Sequence, residues 1–344
     1  MALQPTTATL TEFASWVDNT RYSRRQMLED MLKDPIFDLL GEDTSNNRAS
    51  IISTNGVDYS GFAKAKVPGG IISREAPVEA DTHSMYYITF VQRFDYEREM
   101  ILHDQYGMLN PGGTECIRRL WEGVGLFLTN CVWNYNTATN FDVPAQTGVI
   151  NYVTSTPDGQ PIISASHSGP GYSGKSNIGG TAVFSGAAVV ANIDAGHQNR
   201  KSQAGIARAY QPDMLLEGNS AALNEAMLQY TKSEKVYSSL NNAVTVFQNG
   251  SMDVAQFKYA PRDNFGNFDT TAAKLYKWAT ANKAEFKNAF KYKWIEKPTI
   301  VEGPRVNMDN MDSFDEATCR LAFMPEDPWA IIQNNATAAP ASAY

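Results

Sequence analysis

The sequence predicts an α+β fold, and three stretches carry that prediction. Met85 to Phe94 alternates with a period of two, the signature of a strand with one buried face. Ile117, Leu120, Trp121, Val124, Leu128, Cys131 and Val132 fall at offsets 0, 3, 4, 7, 11, 14 and 15, a sustained helical stripe. Between about residues 160 and 300, strand-like runs alternate with amphipathic helical ones, as in a mixed α/β unit. A chain of 344 residues is long enough to bury a sizeable core.

The first 43 residues carry eight acids against four bases. Ser23 and Gln26 at capping-box spacing, followed by Met27, Leu28, Met31 and Leu32 on one face, predict a short helix that Pro35 ends. Its apolar stripe needs a partner, in this chain or in another subunit. From Thr44 to Asp81, Gly56, Gly61, Gly69 and Gly70 punctuate short apolar pieces, and a projecting hairpin is expected. Tyr86, Ile88, Phe90 and Phe94 then share one strand face, with Tyr87, Thr89, Val91 and Arg93 on the other. A helix from about Pro111 to Asn134 would be roughly 36 Å long. Gly123 and Gly125 within it cost about 1 kcal/mol each relative to Ala, so close packing or a bend is expected there.

Pro157-Asp158-Gly159 separates the β-like runs Gly148 to Thr154 and Pro161 to His167, which predicts a tight hairpin. Ser168 to Gly180 reads as a flexible Gly/Ser loop, and Ala182 to Ala195 as a helix. A strand near Asp213 to Leu216, a helix from Ser220 to Tyr230 with Leu223, Met227 and Leu228 inward, and strands at Val244 to Phe247 and Val254 to Tyr259 complete the alternation. Lys274 to Lys297 holds seven lysines against two acids, with Lys283, Lys287 and Lys291 at i, i+4, i+8 of an expected helix. That face could meet nucleic acid or an acidic partner; the plain alternative is a solvated surface. Cys319 to Met324 reads as a late strand and the Ala/Thr/Ser tail after Asn334 as frayed.

Composition narrows function. The net charge of −8 excludes a general nucleic-acid binder. No stretch approaches the roughly 18 apolar residues of a membrane span, and Met1 to Leu10 lacks the features of a standard export signal. Three cysteines, with Cys116 and Cys131 about 22 Å apart on one expected helix, argue against a disulfide framework. His83, His103, His167 and His197 never fall at metal-ligand spacing with a Cys or second His, so no metal and no cofactor are expected. Charged residues make up only 19%, which suits a surface taken up by neighbours.

One segment imitates an NTPase. Gly169 to Ser176 matches G-x-x-x-x-G-K-[ST] at every fixed position. The chemistry needs a helix after Gly174 whose N–H groups cradle phosphate, yet Gly179 and Gly180 fall within its first two turns. The upstream run, with Ser164, Ser166, His167 and Ser168, is too polar for a buried parallel strand. No G-x-S-x-G elbow and no Cys with a positioned His appear, so a catalytic function is not expected.

The order of segments, an arm, a Gly-punctuated hairpin, a strand, one long helix, a Pro-Asp-Gly turn, an α/β unit and a late strand, resembles the major capsid protein of tailed bacteriophages, especially the Mu-like head subunits. Local text carries the same resemblance. Phe90 to Gly107 is similar to the family's strand leading into its spine helix, Asp158-Gly159 to His167 to its D-G-x-x-L-F-S-x-x-H segment, and Gly205 to Glu217 to the strand after the first axial helix. Asp263 to Thr271 matches nothing in that pattern.

The resemblance implies a tailed-phage capsid fold with these parts: an N-terminal arm (1–43), an extended loop (44–84), a peripheral domain (85–159) with a spine helix at about 111–134, an axial domain (160–300), a return strand (301–334) and a flexible tail (335–344). It implies pentamers and hexamers closing into an icosahedral head around double-stranded DNA, in the virion and, during assembly, the host cytoplasm. Implied partners are other copies of the chain, scaffolding and portal proteins and packaged DNA, with no membrane. Gly56, Gly61, Lys64, Lys66, Gly69 and Gly70 become inter-subunit contact residues. Some members weld their shells through a Lys–Asn isopeptide bond, for which nothing in this sequence places the needed Lys, Asn and Glu together. The alternatives are a P-loop NTPase using Gly169 to Ser176 and a DNA-binding module using Lys283, Lys287 and Lys291.

Overall fold

A computed structural model describes residues 34–44, 50–54, 57–59, 77–79, 82–96, 109–202, 204–232, 252–302 and 313–340. Helix α1 (Pro35–Leu39) opens the described chain. Asp34 caps it by accepting the Ile36 N–H at 3.1 Å, and Pro35 sits in its first turn, where a missing N–H is harmless. Pro35 therefore starts a helix, whatever it ends; the stripe Met27 to Leu32 lies outside the described residues. Ile36, Phe37 and Leu40 are buried in the chain's own core, and β1 (Gly41–Glu42) follows.

Strands β2 (Ser50–Thr54), β3 (Val57–Tyr59), β4 (Pro77–Glu79) and β5 (Thr82–Tyr86) form two antiparallel ladders in one register: Ser50 pairs with Tyr86, Thr54 with Thr82, Val57 with Glu79 and Tyr59 with Pro77. The four strands thus lie along one hairpin ribbon. At Tyr87 the chain leaves the ribbon and enters β6 (Ile88–Tyr96). That break corrects the single strand expected over Met85 to Phe94: Met85 and Ile88 are buried while Tyr86 is 67% exposed, so Tyr86 and Ile88 do not share a face.

Helix α2 (Leu109–Thr129) continues into a π-helical turn, Asn130–Asn134. All seven residues of the sequence stripe, Ile117 to Val132, are buried, as is Phe127. Gly125 is explained by close packing: a Cβ there would lie 2.3 Å from Tyr259 Cε2. β7 (Asn140–Pro144) pairs with β8 (Val149–Val153). The hairpin partner of β8 is therefore upstream, not Pro161 to His167. The turn at Asp158 does exist, with Gly159 at φ +75°, but Asp158 spends its carboxylate on Thr156, Gln160, His167 and Ser168 and closes a compact loop instead.

β9 (His167–Gly169) and β10 (Tyr172–Lys175) form a short antiparallel pair, followed by β11 (Ile178–Gly180), α3 (Gly186–Asn199), β12 (Met214–Gly218), α4 (Ala221–Lys232) and β13 (Asp253–Phe257). Val244 to Phe247 lies outside the described residues. Leu223 and Met227 on α4 are fully buried, while Leu228 is half-buried. Then come α5 (Ala272–Leu275), β14 (Trp278–Ala281), α6 (Lys283–Ala289), β15 (Phe290–Glu302), β16 (Ser313–Pro325) and β17 (Ile331–Asn334).

Two sheets organise these elements. The first has the order β1-β15-β16-β6, and the second, mixed, β11-β17-β14-β12-β13. β12 shows how the cores divide: Met214 and Leu216 enter the main core with α2, whereas Leu215 enters a second core with Val189 of α3, Leu223 and Met227 of α4 and Trp278. Two expected boundaries move. β15, assigned by sequence to the 160–300 unit, pairs instead with β16, and β17, assigned to the return strand, pairs with β14 and β11 of the second sheet. The tail is also less free than expected: Ala336 is buried and the Asn335 N–H donates to Gly180 O at 2.9 Å. Among the described residues, no helix is long and apolar enough to cross a membrane.

Candidate interaction surfaces

The NTPase-like segment folds as a hairpin. Gly169 ends β9, Gly174 and Lys175 lie in β10, and the next helix begins only at Gly186, capped by Ser185. Gly174, at φ +61°, turns the chain without leading into a helix. Among the described residues no helix follows Gly174 closely enough to cradle a phosphate as the motif requires. The segment is also not the loose loop that its composition suggests. Gly171 packs on the backbone of Ala204, where a Cβ would lie 2.2 Å from the carbonyl carbon, so glycine there serves backbone-to-backbone contact.

The lysine stripe is broken as well. Helix α6 ends at Ala289, and Lys291 stands on β15, 2.7 Å from Glu326. Helical spacing misleads here because Phe290 pairs with Pro325 and carries the chain into the sheet. Most of the run is neutralised internally: Lys274 meets Asp269 at 2.8 Å, Lys293 meets Asp43 at 3.1 Å and Lys297 meets Glu42 at 3.1 Å. Lys277 is buried. Lys283 and Lys287 lie on α6, and Lys291 follows on the adjoining strand.

Gly56, Gly61, Lys64, Lys66, Gly69 and Gly70 lie outside the described residues. So do His83's side chain and His103. His197 accepts the Tyr210 N–H at 3.3 Å, and His167 is fully buried between Asp158 and Ile162 O. Both ring nitrogens of His167 are engaged within the fold. Asp158 is held below the usual aspartate range: burial acts to raise it, and the bonds from His167, Thr156 and Ser168 together outweigh burial. Among the described residues no group of three His, Cys, Asp or Glu side chains could hold a metal ion.

Apolar exposure is concentrated in two places that sequence reasoning missed. On β8, Val149 and Val153 are exposed on one face and Ile150 on the other, and among the described residues the β7–β8 ribbon pairs with no third strand. In the loop after β13, Phe265 and Phe268 are 70% and 58% exposed. That loop is rigidly built: the Asp263 carboxylate accepts the Phe265 N–H at 2.9 Å, the Asn267 N–H at 2.8 Å and Asn267 Nδ2 at 2.9 Å. These bonds, Asn267 first, also hold the Asp263 carboxyl below its ordinary range. The D-N-F-G text was the available signal for a stapled turn. Between β6, α2 and β7 lies a cleft of about 450 Å³ whose wall includes Phe90, Gly123, Phe127, Phe141 and Phe265.

No protein-family model matches the chain. No curated protein matches it in sequence. Among solved structures, the chain is similar to the capsid of Myoviridae phage XM1, at a TM-score of 0.49 and 10% identity over 89% of this chain and 92% of that one. A structure titled Mycobacterium phage Patience gives 0.49 and 12% identity over 97% and 91%. A virus-like particle from Pyrococcus furiosus gives 0.44 and 8% identity over 92% and 98%.

Proposed function

We propose that the chain is the subunit of an icosahedral capsid shell of the tailed-phage, Mu-like type, forming pentamers and hexamers around double-stranded DNA. The observation that carries this reading is the β2–β5 ribbon. Its inner end is anchored, since Met85 is buried against Ala322 and Met324 of β16. Its outer ladder, β3 with β4, pairs with no other described strand. A lone two-stranded ribbon is marginal in water, and a second surface stabilises it. A neighbouring copy supplies that surface in a shell, where one patch meets a different patch on the next subunit and the contacts close into rings. The exposed Val149, Ile150 and Val153 of β8 and the Phe265–Phe268 loop add apolar contact area of the same use. Each contact can be weak, because every subunit makes many.

The segment order and motifs that resemble head subunits support the same reading. They extend it to scaffolding and portal proteins as assembly partners, and to a virion location reached from the host cytoplasm. Electron microscopy of the purified product tests the proposal. Closed shells, or rings of five and six, are expected; a monodisperse monomer under all assembly conditions, including added scaffold, overturns it.

A further inference from the structure

We propose that Lys277 is a proton-operated latch that fastens the carboxyl end of α2 to the second sheet, closed when its amine is neutral and loosened when it is charged. The inference concerns the single chain and stands apart from the shell reading.

Lys277 immediately precedes β14 and is 4% exposed. Its Nζ donates to Trp133 O, in the π-helical turn, and to Asn136 Oδ1 at 3.4 Å, and it lies 4.9 Å from the centre of the Trp133 ring. Asn136 in turn donates to Val132 O at 3.0 Å and to Gln333 Oε1 of β17 at 2.7 Å. One amine thus joins three elements, the π turn, β14 and β17, where the two sheets share the main core. Trp133 O lies in the last turn, where backbone donors run out, and Lys277 supplies its donor.

What is missing is a counter-ion. Among the described residues no carboxylate pairs with Lys277. From β12, Glu217 stands opposite Trp278 in the ladder and so projects to the other face of the sheet. Lys274, preceding it in the chain, is a like charge, already paired with Asp269. In and beside the π turn the titratable groups are Cys131 and Tyr135, and burial pushes both above their ordinary values, so both stay neutral. The dipole of α2 favours a cation at this end, but only as a partial charge, against the loss of a whole hydration shell. An ammonium here would have three donors, two acceptors and no balancing charge.

Burial, with a smaller contribution from Lys274, accordingly lowers the Lys277 ammonium from 10.5 to about 7. Opened to water, the group would keep its proton up to 10.5. Opening therefore takes up a proton between these values. The opening constant of the π turn rises about tenfold for each pH unit lowered through that window and levels off below it.

Amide hydrogen exchange on the full chain reads this directly. Intrinsic exchange quickens about tenfold per pH unit, so for residues 130–136 the two effects cancel, and their rates should stay flat from about pH 7 to 9 while exceeding those of β15 and β16. In Lys277→Met the same amides should regain the tenfold rise. Rates that climb tenfold per unit in the wild-type chain overturn the latch, with no variant needed. It is equally overturned if residues 130–136 and the β15–β16 ladder exchange together, since Lys277 would then titrate only with global unfolding.

Discussion

Asp158 Oδ2 lies 2.9 Å from His167 Nδ1, with the two side chains 3% and 0% exposed, and this pair closes the loop between β8 and β9. The same carboxylate accepts the Ser168 N–H at 3.1 Å and the Gln160 N–H at 3.2 Å. Asp158→Ala leaves these donors and the ring unpaired, and should destabilise the chain by about 3 kcal/mol. The folded Asp158 holds its charge below its ordinary value of 3.8, so its contribution is full above that value and is lost as pH falls below it through the lower folded value. Urea unfolding at pH 7 and pH 3 should show the variant's deficit shrinking at the lower pH; a deficit independent of pH would reject the ionic account.

Gly123 and Gly125 should respond in opposite directions. A Cβ at Gly125 would strike Tyr259, whereas one at Gly123 meets only Phe90 Cδ1 at 3.9 Å. Gly125→Ala should lose roughly 1 to 3 kcal/mol by overpacking. Gly123→Ala should gain up to about 1 kcal/mol from helix propensity. Denaturant midpoints for the two variants check the contrast.

Glu217 provides a pH dependence of its own. It is fully buried, neither carboxylate oxygen has a hydrogen-bond partner, and burial pushes the acid up to about 7, against a smaller opposing effect of Asn224 nearby. The folded chain therefore binds a proton that the unfolded chain releases between 4.5 and about 7, and stability falls as pH rises through that window. Glu217→Gln should abolish this loss and be more stable than the wild type at pH 8 by about 3 kcal/mol. Equal pH profiles for the two proteins would show that Glu217 is solvated.

Lys175 is expected to be dispensable for any nucleotide chemistry, because β10 presents it from a strand. Purified protein should show no ATP turnover that depends on Lys175, and Lys175→Ala should melt within about 0.5 kcal/mol of the wild type. Hydrolysis lost with the lysine would restore the NTPase alternative.

Legibility followed the range of the interactions. The stripe from Ile117 to Val132 was readable because one helix face meets one core, and a 3.6-residue period records that directly. Leu223 and Met227 were readable for the same reason, while Leu228 was not, since its half-burial depends on the groove beside β13. Lys283, Lys287 and Lys291 fit a helix perfectly well in isolation. Pairing of Phe290 with Pro325, 35 residues on, overrode that local preference. The exchange of β15 and β17 between sheets was hidden because strand periodicity names no partner. The exposed residues of β8 were hidden because alternation does not say which positions a neighbouring element covers.

The central claim, that one subunit's ribbon is completed by another, is tested most directly by a cryo-electron microscopy reconstruction of assembled particles. The account predicts a closed shell in which the outer ladder of each ribbon, residues 57–59 and 77–79, lies on a neighbouring copy. Replacing residues 57–79 by a short Gly/Ser linker should then leave a soluble, cooperatively unfolding chain that builds no shells. A reconstruction with the ribbon folded wholly onto its own body, or shells that form without it, would contradict the account.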